Sequence, residues 1–348
     1  MSKLAADLSV VTSVGLDLAK HVFQVHCTDA SGKVIVAKAL RRREILPFFA
    51  SLPNCLVGME ACGSAHHWGR ELMALGHEVK LIPPAYVKPF VKRQKNDAND
   101  AAAIHETLSR PGLRFVKVRS IDNQAVLMQH KAREMLVGQR TQLLNGLRGH
   151  LSEIGVIAAQ GTCNMRSLGA LIHEGDASIP QAVRASLLPL VEQIVHLDEA
   201  IRVIDADIAA SAKADPVSSR LMTIPGIGPV TASALAATIE DPASFSGPRE
   251  FAAFLGLVPR PHSSGGKARL GRITKMGNAY LRKLLVVGAH AVLVHQARHD
   301  DPLRQWARNV LRCYGDTCNN PFTHPSTHTT SRPWPVSLAS CSPVSRTM

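Results

Sequence analysis

Val14-Gly15-Leu16-Asp17-Leu18-Ala19-Lys20 decides the fold, read together with Val57-Gly58-Met59-Glu60-Ala61. Each is a short apolar run that ends on a carboxylate. Val10–Leu16 is rich in Val and reads as a first strand with Asp17 at its end. His21–Cys27 alternates around Val22 and Val25, Ser31-Gly32 is a turn signal, and Lys33–Ala39 follows as a third strand. The two tight connections predict a three-stranded antiparallel start. A helical stretch, Arg41–Leu52, leads into the strand Cys55–Met59, which Glu60 closes. Ser64–Leu75 reads as a helix ended by Gly76, Glu78–Ile82 as a strand, and Ala85 to Leu108 as helical segments. Strands first, then strand and helix in alternation, is the order of an α/β domain with a mixed sheet, spanning 9–118.

From about Ile121 the pattern is helical. Ala125–Ile154 carries Leu127, Met135, Leu136, Leu143, Leu144, Leu147 and Leu151 at helical spacing, without Pro. Leu187–Ala212 repeats the pattern with Leu190, Ile194, Leu197, Ile201, Ile204 and Ile208, near a 3.5 period. Two such helices, filling 119–213, can pair as an antiparallel coiled coil, within the chain or between subunits, or join an ordinary bundle. A mainly helical C-terminal domain, 214–312, contains Pro225-Gly226-Ile227-Gly228-Pro229 ahead of the helix Val230–Ile239. This resembles a helix-hairpin-helix turn, whose exposed N–H groups at Gly226 and Gly228 suit phosphate contact; a plain structural turn is the other reading. Residues 313–348 are rich in Ser, Thr and Pro, lack periodicity, and read as a disordered tail.

The 348 residues carry a formal charge of +13, which favours a polyanionic partner, nucleic acid first. Apolar residues make up 45%, which excludes a wholly disordered chain. No apolar run reaches the ~20 residues of a spanning helix. Seven scattered cysteines argue against a disulfide framework and for a reducing cytoplasm.

The four acidic residues that matter are Asp17, Glu60, Asp97 and Asp100. The last two lie in Lys95-Asn96-Asp97-Ala98-Asn99-Asp100-Ala101, three apart, on one face of a helix. Carboxylates gathered in one cleft repel unless a cation neutralises them. Hard oxygen ligands suit Mg²⁺ or Mn²⁺. Two such ions about 4 Å apart activate a nucleophile and stabilise a leaving oxygen in phosphoryl transfer. Singly, an acidic residue at a strand end is an ordinary turn residue and Asp97 an ordinary helix cap; the four in this order are harder to dismiss.

Taken together, the Gly-Leu-Asp-Leu-Ala-Lys start, the Met-Glu-Ala-Cys-Gly block, Lys-Asn-Asp-Ala-Asn-Asp-Ala, Ile-Pro-Gly-Ile-Gly, and Gly-Leu-Val-Pro followed by Ser-Ser-Gly-Gly-Lys and Gly-Arg-Ile-Thr-Lys-Met-Gly-Asn resemble one family. It is that of the DEDD-type transposases of the insertion-sequence 110 class, 1111-like branch, which are similar to Piv-type DNA invertases. The resemblance runs over residues 10–312. It implies a ribonuclease-H/RuvC-like N-terminal domain with Asp17, Glu60, Asp97 and Asp100 as the metal-binding DEDD tetrad. It further implies a nucleophilic serine in a Ser-Gly step, here Ser264 with Ser263 as the fallback, and a serine–DNA covalent intermediate. Expected partners are the DNA of element ends and target, a bridge RNA that guides the choice of site, and further copies of the chain in a dimer or tetramer, with no membrane. The expected location is the cytoplasm, on the nucleoid. The family's closing helical segment is not matched by 313–348.

By composition Ser263-Ser264-Gly265-Gly266 is an exposed turn. Its flank sets it apart: Lys267, Arg269, Arg272 and Lys275 can hold a phosphodiester and the charge that develops on it. No His–Asp pair lies near Ser264 in the sequence, so the activating group is expected from the acidic site, of this chain or of another copy. A RuvC-like nuclease using water, and an inactive nucleic-acid-binding remnant of a decayed element, are the competing readings.

Overall fold

The computed structural model describes residues 7–91, 97–157, 169–170, 172–173, 178–262, 269–294 and 302–315, with the side chains at 97, 303 and 310–315 outside the description. Five strands come first: β1 (Ser13–Asp17), β2 (Val22–Thr28), β3 (Val34–Arg41), β4 (Leu56–Glu60) and β5 (Glu78–Ile82). They form one mixed sheet in the order β3-β2-β1-β4-β5. β1 pairs antiparallel with β2 and parallel with β4. The alternation in β1 explains its two-sided burial. Val14 and Leu16 are fully buried on one face, with Phe23, Val57, Met59, Trp68 and Leu72. That face is covered by α1 (Ile45–Ala50) and α2 (Ala65–Ala74). Ser13, Gly15 and Asp17 turn to the other face, where α4 (Asp97–Leu108) lies after the short α3 (Pro84–Val87). Ile82, Val87, Ala103, Ile104 and Leu108 form a second apolar cluster there.

Two boundaries of this sheet domain differ from the sequence reading by three residues or more. The first strand starts at Ser13 rather than Val10, because Leu8–Val10 forms a 3-10 turn capped by Asp7, whose Oδ1 accepts from Ser9 N at 3.0 Å. The first helix starts at Ile45 rather than Arg41. β3 runs through Arg41, and Glu44 accepts from Arg41 N at 2.8 Å, which closes a 3-10 turn before the helix.

The next two helices are long. α5 (Ile121–Ser152) starts on Ser120, whose side chain accepts from Asn123 N at 3.1 Å. α6 (Gln181–Ala214) starts earlier than the Leu187 expected, and takes Pro189 into its interior. The two pair antiparallel within the chain. Arg140 Nη1 donates to Asp198 Oδ1 at 2.6 Å, and Arg133 pairs with Asp205. Further along, Leu144, Leu147 and Leu151 share a core with Leu187, Val191 and Ile194.

The C-terminal part comprises α7 (Pro216–Leu221), α8 (Pro229–Thr238), α9 (Pro248–Phe254), β6 (Pro259–Pro261), β7 (Leu270–Ile273), α10 (Ala279–Val294) and α11 (Pro302–Gly315). It is mainly helical as expected, with one correction: β6 and β7 form an antiparallel hairpin. Proline within a strand argues against pairing, but a two-stranded ribbon has edges on both sides and tolerates it. A second correction concerns the expected tail from 313, since α11 continues to Gly315; residues 316–348 lie outside the described ones. No helix among the described residues is long and apolar enough to cross a membrane.

α8 packs against both α5 and α6, and a buried polar knot ties it there. His130 of α5, 1% exposed, bonds through Nδ1 to the Tyr280 hydroxyl at 3.0 Å and through Nε2 to Ser233 Oγ at 3.2 Å. Burial, aided by the Arg133 charge, pushes its imidazole down to about 4. The unfolded chain therefore takes up this proton first. The knot's contribution is complete above about pH 6.5 and falls as pH drops toward 4, by about 3 kcal/mol in all. Urea midpoints measured at pH 7 and pH 4.5 should show that loss. His130→Gln should flatten the slope; an unchanged slope in that variant would remove His130 as its source.

Candidate active site

Asp17 and Glu60 are the last residues of β1 and β4. These strands are parallel neighbours in register, Gly15 beside Gly58 and Leu16 beside Met59. One step further, the two carboxylate-bearing residues stand side by side at the carboxyl ends, about 4.8 Å apart at the backbone. Both are half-buried. Each lies two residues after a glycine, so it shares that glycine's face of the sheet.

The glycines explain how α4 comes so close. A Cβ on Gly15 would sit 2.3 Å from the Ala101 carbonyl oxygen and 2.8 Å from His105 N. A Cβ on Gly58 would sit 2.5 Å from Leu108 Cδ1. The helix backbone thus rests directly on the strands. Its register is legible from two contacts. Ser13 Oγ meets His105 Nε2 at 2.8 Å, and Gly15 meets Ala101. Two residues of strand advance about 6.6 Å and four of helix about 6 Å. Further steps in the same direction run toward the N-terminal half of α4, which carries Asp97 and Asp100. Asp100, half-buried, lies one turn further on than Asp97.

The structure places Asp17 and Glu60 side by side at the ends of β1 and β4, on the sheet face that α4 covers, and does not gather them with Asp100. Among the described residues, no three His, Cys, Asp or Glu side chains are gathered closely enough to hold a metal ion. The Asp97 side chain is outside that set. The donors offered are all carboxylate oxygens, a set whose chemistry fits a hard divalent cation.

Ser264, its fallback Ser263, and Lys267 lie outside the described residues. The chain on either side is well placed: His262 N donates to Arg269 O at 2.7 Å, bringing together the two ends of segment 263–268. The base of the hairpin is tied to the end of α9 and the turn after it by Thr274 N to Val258 O at 2.9 Å, Lys275 N to Gly256 O at 3.0 Å and Asn278 N to Phe254 O at 3.2 Å. Arg269, Arg272 and Lys275 are exposed around it. Lys275 holds a left-handed φ of 54°, a conformation that costs a non-glycine residue about 1 kcal/mol. The sequence reading foresaw these cations and missed the ribbon that carries them.

The glycine turn divides in two. Gly226, at φ 86°, packs on α10: a Cβ there would lie 2.8 Å from the Gly288 carbonyl oxygen. Its role is close backbone contact. Gly228 is exposed, caps α8, and faces open space. Of the two, Gly228 is the exposed one.

Three features escaped the sequence reading. His105 and its hydroxyl partners are one, described below. The second is the link between the sheet and the C-terminal part. Arg119 N donates to His66 Nδ1 at 3.2 Å, Arg119 Nη1 lies 2.9 Å from His66 Nε2, and Arg70 Nη1 donates to Arg119 O at 2.9 Å. Burial, with the charges of Arg119 and Arg70, pushes His66 down to about 4. Glu240 then receives Asn123 Nδ2 at 2.9 Å and lies 3.6 Å from Lys117 Nζ, while Glu250 pairs with Arg114. The third is the repeat of Gly-x-acid at Gly15-Leu16-Asp17 and Gly58-Met59-Glu60, a signal that was present in the sequence.

Residues 14–156 match the model of DEDD transposases of the IS110 type, described as Transposase, and residues 218–304 match that described as Transposase IS116/IS110/IS902 family. A "Probable family 20 transposase" of Pseudomonas aeruginosa is 45% identical over 304 residues, covering 87% of this chain and 90% of its own. The "Transposase for insertion sequence element IS1111A" of Coxiella burnetii is 40% identical, covering 87% and 83%. The "Transposase for insertion sequence element IS1328" of Yersinia enterocolitica is 37% identical, covering 86% and 90%.

Proposed function

Because the chain belongs to the IS116/IS110/IS902 family of transposases, we propose that it cuts and rejoins insertion-sequence DNA through Ser264, at a cation site built from Asp17, Glu60, Asp97 and Asp100. The observation that carries this reading is the placement of Asp17 and Glu60 on adjacent parallel strand ends, on the sheet face that α4 covers. The ribonuclease-H/RuvC-like reading is supported by the sheet order, with an antiparallel β1-β2-β3 half and a parallel β1-β4-β5 half.

Asp17, Glu60, Asp97 and Asp100 would hold Mg²⁺ or Mn²⁺. Such an ion, when bound, offsets the negative charge that builds up on phosphoryl oxygens. The chain's own residues do the rest. Lys267, Arg269, Arg272 and Lys275 hold the DNA backbone at the hairpin, and the N-terminus of α8 at Gly228 adds a sequence-independent contact. The Ser264 oxygen attacks phosphorus and forms a serine–phosphate ester, while the bond from phosphorus to one deoxyribose oxygen breaks. The serine proton leaves to a base and the freed deoxyribose oxygen gains one. Attack by a deoxyribose hydroxyl of the partner strand reverses the step, joins the new pair of strands and restores the serine. With no His–Asp pair near Ser264 in the sequence, its activating group belongs to the acidic site, supplied by a second copy in a dimer or tetramer. A bridge RNA would select the two DNA sites.

A test is to incubate the purified chain with DNA of its own element's ends and flanking RNA, then denature it. Wild type should yield protein-linked DNA. Ser264→Ala should yield none while still binding DNA. Normal recombination by that variant would reject the serine. Strand cleavage by wild type with no linked protein would favour the water-using nuclease.

A further inference from the structure

We infer that His105, held by Ser13 and Thr28, is the positioning residue that sets α4 at the height and register its two aspartates need. The inference rests on the proposed carboxylate site and names what holds the helix bearing two of its aspartates to the sheet bearing Asp17 and Glu60. Asp17 and Glu60 belong to the sheet. Asp97 and Asp100 belong to a helix that follows β5 through residues 83–96 and returns to it through residues 109–115. Apolar contact alone leaves such a helix free to slide, because Ala103, Ile104 and Leu108 would still be buried after a small displacement.

The polar contact removes that freedom. His105 Nε2 lies 2.8 Å from Ser13 Oγ and 2.8 Å from Thr28 Oγ1, and the two hydroxyls lie 2.9 Å from each other. Ser13 and Thr28 are directly paired across β1 and β2. A single imidazole nitrogen is therefore pinned to two strands at once. Burial, with the neighbouring His26, lowers the imidazole's proton affinity and favours the neutral ring. Below this point Gly15 admits the Ala101 carbonyl, and the next step along the same face of β1 is Asp17. The triangle lies two helical turns from position 97, so a tilt at His105 moves the N-terminal turn, where the two aspartates are.

Groups that orient metal ligands without touching the ion commonly change metal affinity by about 10–100-fold when removed. Mn²⁺ affinity of the full chain, measured by calorimetry without DNA, reads this directly. His105→Ala should bind Mn²⁺ about 10-fold more weakly or worse. His105→Gln, whose amide nitrogen or oxygen can occupy the place of Nε2, should stay within about threefold of wild type. Rescue by Gln separates positioning from simple loss of bulk. Ser13→Ala, which keeps the histidine and its packing, should weaken binding in the same direction and serves if His105→Ala fails to fold. Wild-type affinity in both His105→Ala and Ser13→Ala would overturn the inference. An Asp17→Asn chain that binds Mn²⁺ as tightly as wild type would overturn the carboxylate site itself, and this inference with it.

Discussion

Asp17→Asn is expected to cut metal-dependent strand cleavage by about 10³-fold or more, with the fold intact. The amide is nearly the shape of the carboxylate, and the residue ends a strand whose pairing is made by backbone atoms. The change removes one negative charge from a strand end beside that of Glu60. Relief of like-charge repulsion offsets the lost polar contacts in the metal-free chain, so its melting temperature should stay within about 2 °C of wild type. Cleavage rate, compared by gel at saturating Mg²⁺ for wild type and variant alongside thermal melts, makes the measurement. Cleavage at the wild-type rate would remove Asp17 from the site. A large drop in melting temperature would make Asp17 a structural residue instead.

Gly15→Val is expected to do greater damage to the fold. The new Cβ would lie 2.3 Å from the Ala101 carbonyl oxygen and 2.8 Å from both His105 N and His105 Cβ. These are backbone atoms and a side-chain root, none of which swings aside. α4 must lift from the sheet, loosening Ile104 and Leu108 and opening the Ser13–His105–Thr28 triangle. Overpacking of this kind costs about 1–3 kcal/mol, and the upper end fits a contact made with helix backbone. Denaturant midpoints should shift accordingly, and cleavage should fall even under conditions where the variant is fully folded. A variant as stable and as active as wild type would mean that α4 does not bear on β1 at Gly15.

The sheet was readable in the sequence because its strands are marked by alternation and closed by turn residues. Val14 and Leu16 alternate with Ser13, Gly15 and Asp17, and that alternation places the acid on the face opposite the apolar core. The long helices were readable from Leu143, Leu144, Leu147 and Leu151 and from Leu190, Ile194, Leu197 and Ile201; their pairing within one chain was not, since a helical repeat has the same form whichever chain supplies its partner. The β6–β7 ribbon left no trace of period two, because its described residues are exposed on both faces and two are proline. The start of β1 was misjudged because Val10 looks like a strand residue, while Asp7 captures Ser9 N and bends the chain there. His105 could not be picked out at all. A histidine on a helix gives no sign of which hydroxyls lie beneath it, and its two partners are 92 and 77 positions away.

The site rests on one spatial claim, that residues from two strand ends and one helix share a divalent cation. Crystals soaked in Mn²⁺ and measured for anomalous scattering address it without any assay of activity. The expected result is a manganese peak at the carboxyl ends of β1 and β4, within reach of Asp17, Glu60 and the first turn of α4, and absent from crystals of Asp17→Asn. An ordered site with no manganese, in a protein whose strand cleavage still requires the ion, would contradict it.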